Sequence, residues 1–140
     1  MKNLTILTMI LAMFYFASGC EKDEITTTTD FKLNESFEVK YNELAQLNTN
    51  DLQILVDEVI EDSRCPENAF CTWAGQITLN LEIIQNGTKI YEEIDFSSGN
   101  STEISIENYL IQLTKVIPEN EIDEVIELDD YTFTFLITEQ

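Results

Sequence analysis

Cys65 and Cys71 bracket five residues in the stretch Asp62-Ser63-Arg64-Cys65-Pro66-Glu67-Asn68-Ala69-Phe70-Cys71-Thr72-Trp73-Ala74-Gly75. Thiols at that separation can close a small disulfide loop, cycle as a redox pair, stay free, or give two ligands to a metal. Spacing speaks against the redox pair, because thioredoxin-like chemistry uses two intervening residues at a helix start. Zinc would want further His or Cys ligands, and the chain has no histidine. A structural disulfide is the favoured expectation. Closing a loop of seven residues is worth about 2.4 kcal/mol in chain entropy.

The neighbours of the cysteines suggest what such a loop would present. Trp73 offers a large apolar plate, and Gly75 permits a close backbone approach to the strand that follows. Arg64, the only arginine, sits two residues from Asp62. It is expected to anchor the loop through backbone carbonyls and that carboxylate, the alternative being a specific partner contact. An exposed aromatic with an arginine makes a credible binding hot spot, so Arg64, Pro66, Phe70 and Trp73 form a candidate recognition loop. The same rigid loop, with Phe70 projecting and Trp73 behind it, would also suit a protease cleft.

Catalytic chemistry has little to stand on. Without histidine there is no Ser-His-Asp triad and no Cys-His pair. The adjacent pairs Asp57-Glu58 and Asp129-Asp130 are carboxylates of the kind glycosidases use, yet neighbouring strand residues point to opposite faces. No enzymatic activity and no cofactor are expected. Calcium is less remote than zinc, since hard oxygen ligands are plentiful in Asp123, Glu124, Glu127, Asp129 and Asp130, or in Asp95, Ser97, Ser98, Asn100 and Ser101. Neither stretch follows the EF-hand order.

Strands must position these residues. Ile77, Leu79, Leu81 and Ile83 recur every second residue, as do Tyr131, Phe133, Phe135 and Ile137, which puts each set on one face of a pleated strand. Asn86-Gly87 predicts a tight hairpin turn, with Lys89 to Phe96 returning. Phe31 to Leu33, Phe37 to Tyr41, Leu52 to Ile60, Glu103 to Asn108, and Tyr109 to Ile117 before Pro118 read as further strands. Asn42 to Leu47 reads as a helical turn. The expectation is an all-β fold, a small immunoglobulin-like β-sandwich of about seven to nine strands over residues 31–140, its topology open between sandwich and barrel.

Charge narrows the partners. Seven Lys or Arg against 27 Asp or Glu leave a formal charge of -20, which repels phosphate backbones and anionic head groups, so nucleic acid is not an expected partner. Cations or a basic protein face remain compatible. Self-repulsion favours a monomeric domain.

The first residues carry an address. Lys2 precedes an apolar run from Leu4 to Ala17, 14 residues long, shorter than the roughly 18 to 20 a membrane-spanning helix needs. The tetrad Ala17-Ser18-Gly19-Cys20 resembles a bacterial lipobox, with Ala17 where leucine is commoner. The resemblance implies that residues 1–19 are a signal peptide, that Cys20 carries diacylglycerol on sulfur and an acyl chain such as palmitate on its amino group, and that the several chains anchor the protein stably. Lys22, Asp23 and Glu24 after that cysteine resemble the export signal of surface lipoproteins in Bacteroidetes. The location implied is the Gram-negative outer membrane, facing outward, with a periplasm-facing anchor as the alternative. Residues 20–30 read as a lipidated, acidic and flexible tether.

The Asp62-Ser63-Arg64-Cys65-Pro66 run, followed by Cys71, Trp73, Gly75 and an alternating strand, resembles a set of small Bacteroidetes lipoproteins of unassigned function. Here Glu67-Asn68-Ala69-Phe70 stands where a Gly-Val type segment would be expected. The resemblance implies a small β-sandwich and no catalytic residues. A non-catalytic module that binds a protein or supports an envelope assembly is the expected function, with protease inhibition and calcium binding as alternatives.

Overall fold

The alternating apolar runs become two strands that bury every second residue in the core of the protein, whose structure, a computed structural model, describes residues 27–140 apart from Asn50, Ser98 and Gly99. The expected signal peptide, Cys20, and Lys22, Asp23 and Glu24 lie outside the described residues. Among the described residues ten strands follow in order: β1 (Thr28–Phe31), β2 (Ser36–Lys40), β3 (Leu44–Leu47), β4 (Leu52–Asp62), β5 (Ile77–Gln85), β6 (Thr88–Ser97), the two-residue β7 (Asn100–Ser101), β8 (Glu103–Ile106), β9 (Tyr109–Ile117) and β10 (Thr132–Glu139). Between β9 and β10, Leu128–Asp130 form a single 3-10 turn.

The strands form two sheets, ordered β1-β3-β4-β5-β6-β7 and β2-β10-β9-β8. Strands β3 to β7 form one meander and β8 to β10 another, while β1 and β2 divide between the sheets. Only β1 and β3 run parallel; the other described pairs are antiparallel. The sheets pack face to face as a sandwich. Ile54, Leu79, Leu81 and Ile83 from one sheet and Ile111, Leu113, Phe133 and Phe135 from the other share a single core. Each such side chain contributes about 1.5–3 kcal/mol by leaving water. Phe31 stacks on Phe37 at 4.3 Å between ring centres, and Phe37 on Phe135 at 6.1 Å, so aromatic rings join β1 of one sheet to β2 of the other.

Two local expectations change. Asn42–Leu47 is not a helical turn: Leu44–Leu47 is β3, with Ala45 and Leu47 buried. Its backbone bonds to β1 on one side and β4 on the other, whereas an isolated helical turn fixes several residues for a single bond. The first strand also shifts: it runs from Thr28 to Phe31 rather than over the expected Phe31 to Leu33. The reason is that β-branched threonine suits a strand and that β3 offers a pairing edge.

Candidate functional site

The central pair β4 and β5 ends in the cysteine stretch, and two irregularities in β4 set its geometry. Register shifts fall between Val56 and Glu58 and between Val59 and Glu61, leaving Asp57 and Ile60 without directly opposite partners. These β-bulges turn the strand. The first keeps Glu58 outside and brings Val59 opposite the buried Leu79; the second sets Asp62 opposite the buried Ile77. Directly opposed residues share a face, so Asp62 points to the core side of its sheet.

Arg64 meets it there. The guanidinium donates from Nε to Asp62 Oδ1 at 2.9 Å and from Nη2 to Asp62 Oδ2 at 2.7 Å, a two-point pair. It also donates to the Val116 carbonyl at 3.3 Å and the Pro118 carbonyl at 3.0 Å. The Tyr131 hydroxyl donates to Asp62 Oδ2 at 2.9 Å. Arg64 is only 5% exposed. Burial disfavours the charged form of Asp62, but the Arg64 hydrogen bonds and charge, helped by Tyr131, outweigh it and hold the carboxyl below the usual range. Burial, followed by the Asp62 hydrogen bond and charge, pushes the Tyr131 hydroxyl up to about 12. Arg64 therefore takes the anchoring role, through a carboxylate and backbone carbonyls, rather than facing a partner.

Beyond that anchor the backbone stays paired for a few residues: Ser63 N–H donates to the Gln76 carbonyl and Cys65 N–H to the Ala74 carbonyl, both at 2.8 Å. Gly75 explains how the returning chain fits. Its φ is +67°, and a Cβ there would lie 1.9 Å from the Ser63 carbonyl oxygen. Cys65 and Cys71 are disulfide-bonded with Cα atoms 6.0 Å apart. Pro66 is half-buried and starts the turn by accepting from Ala69 N–H at 3.0 Å. At the tip, Phe70 is 110% exposed relative to a reference chain and Trp73 is 66% exposed. They line an open cleft of about 420 Å³ together with Cys65, Ala69, Cys71, Thr72 and Ala74.

A second segment, the connection from Pro118 to Tyr131, supports this loop. Glu67 N–H donates to the Asn120 carbonyl at 2.9 Å, Asn120 Nδ2 to the Arg64 carbonyl at 3.1 Å, and Ile122 N–H to Asn68 Oδ1 at 3.1 Å. Sequence reading missed Asn68, Asn120 and the Tyr131 hydroxyl as parts of the site. No local signal marks them, since Asn120 bonds 56 positions away and Tyr131 bonds 69 positions away.

The other candidates do not converge. Asp57 and Glu58 are both exposed, Asp57 accepting from Asn80 Nδ2 at 3.3 Å. Asp129 and Asp130 are exposed in the 3-10 turn. Asp95 accepts from the Thr78 hydroxyl at 2.7 Å. Among the described residues, no three or more His, Cys, Asp or Glu gather as a metal site, and no helix is long and apolar enough to cross a membrane. Comparison of the chain with protein-family models, curated proteins and solved structures gives no match.

Proposed function

We propose that the protein is a lipid-anchored lipoprotein, held at the outer membrane through Cys20 and facing the exterior, whose monomeric sandwich presents the Cys65–Cys71 loop to a macromolecular partner without catalysing a reaction. The observation that carries recognition is the contrast within one loop, between the buried Arg64 at its base and the exposed Phe70 and Trp73 at its tip. Large aromatic rings held on a rigid base bind with little loss of side-chain freedom, and such rings dominate binding hot spots. Support for the anchor comes from the Ala17-Ser18-Gly19-Cys20 tetrad and from Lys22-Asp23-Glu24. The Arg64-Cys65-Pro66 and Cys71-Thr72-Trp73 pattern supports kinship with small Bacteroidetes lipoproteins.

Proximity labelling on intact cells tests this reading, comparing the native protein with a Phe70→Ser/Trp73→Ser form that keeps both cysteines. Labelled neighbours are expected to drop out selectively in the altered form at equal surface abundance. An identical set of neighbours would remove recognition from this loop. A second reading, inhibition of a protease, is favoured by the full projection of Phe70 beside the bridge. Slow, saturable inhibition of one protease class, lost in Phe70→Ser, would select it.

A further inference from the structure

Seven large apolar side chains are exposed among the described residues, and five of them lie on the two segments that hydrogen bonds join at one end of the sandwich. Phe70 and Trp73 belong to the disulfide loop; Ile122, Val125 and Leu128 belong to the β9–β10 connection, where Val125 is 86% exposed. Of the other two, Ile60 occupies a bulge and Tyr91 donates its hydroxyl to Glu82. Apolar exposure is thus gathered on two segments that hydrogen bonds join, and exposed apolar surface rimmed by polar residues marks interaction sites. Each segment also has its own cleft, about 420 Å³ beside Trp73 and about 370 Å³ between Ile117, Pro118 and Val125.

The exposed charge on these two segments has one sign, while the strands beside them bring Lys40 opposite Thr132 and Lys115 opposite Thr134. Seven carboxylates lie between Pro118 and Tyr131, and Glu67 adds another on the facing loop. The two segments have no lysine, and their one arginine is Arg64, buried against Asp62. An apolar surface among carboxylates that outnumber those two lysines repels anionic membrane and a second copy of this acidic chain, and attracts a partner carrying positive charge.

We propose that this end, taking the recognition reading of the loop as its basis, binds a cationic amphipathic peptide or protein segment: apolar side chains seat against Trp73 and Val125 while lysine or arginine face the carboxylates. Trp73, the only tryptophan, is the reporter. Emission is followed while the full protein is titrated with a short amphipathic peptide of leucine and lysine, then with its leucine and glutamine counterpart.

A saturable blue shift is expected with the lysine peptide alone, weaker in high salt. Neutralising Glu121, Asp123, Glu124 and Glu127 to their amides should weaken it about tenfold, as the acidic field is local. Neutralising Glu38, Glu92, Glu93 and Glu103, which are exposed elsewhere, should change it less than about threefold by the same screening argument. Val125→Ser should weaken binding without moving the emission of the free protein. Equal binding of the glutamine peptide, equal weakening by the two sets of amides, or no binding at all would overturn the proposal. So would a blue shift produced by anionic vesicles, or by the protein's own concentration. Failure here combined with lost labelling for Phe70→Ser/Trp73→Ser would remove the cationic partner and keep recognition; unchanged labelling would remove recognition itself.

Discussion

Strand β5 is joined to its two neighbours by connections of very different size. At one end Asn86 and Gly87, with φ of +50° and +80°, close the turn to β6 in two residues. That is the shortest hairpin solution and the one whose twist suits the strands. At the other end the connection from β4 spans Ser63 to Gln76, although its strands are also antiparallel neighbours. Connecting adjacent strands needs two to five residues. The longer hairpin therefore contains chain that closure does not require, and it is held by a buried ion pair, a disulfide and a positive-φ glycine. Its base belongs to the fold and its tip does not.

The largest test of that division is at the base. Arg64→Ala leaves Asp62 buried without its cation and leaves the Val116 and Pro118 carbonyls without their donor. A loss of about 3–5 kcal/mol is expected in urea unfolding. A loss below 1 kcal/mol would mean that Asp62 and Tyr131 hold the end alone. The two glycines sharpen the contrast next. Gly75→Ala meets both a positive φ and the Ser63 carbonyl, and should cost about 3 kcal/mol. Gly87→Ala has a positive φ but nothing within 4 Å, and should cost only about 1 kcal/mol. Equal effects would erase the distinction between the hairpins.

Cys65→Ala should lower stability by about 2.4 kcal/mol and raise hydrogen exchange in the loop; an unchanged melt and exchange pattern would remove the structural role of the bridge. Smaller effects follow pH. Asp62 has a depressed folded pKa, so its contribution is present above the ordinary carboxylate value of 3.8 and is lost as pH falls below it through the folded value. Tyr131 is the reverse. Its hydroxyl is raised from 10.0 to about 12, so the unfolded chain loses that proton first and stability declines as pH rises across that interval. Tyr131→Phe should make the alkaline decline shallower, as seen in unfolding midpoints measured across that range.

Local pattern carried the strands whose alternation is regular. Every second residue of β5 from Ile77 to Ile83, and of β10 from Phe133 to Ile137, is buried, and Asn86-Gly87 turns as its residue types require. The role of Arg64 was legible too, because its carboxylate partner is two residues away. What depends on distant pairing was not. β3 has strand form because β1 and β4 flank it, Val59 replaces Glu58 at the core because β4 bulges, and Tyr131 reaches Asp62 because two sheets meet at one end. The exposed Val125 and Ile122 were hidden in a run that composition marks only as acidic.

Unfolding of Phe70→Ser/Trp73→Ser in urea, set beside that of the native domain, examines the division between base and tip most directly. Both rings leave the core untouched, so the midpoint and slope should match the native values within about 0.5 kcal/mol. A loss approaching that of Arg64→Ala would show that the tip serves the fold after all, and would contradict a loop held out for recognition.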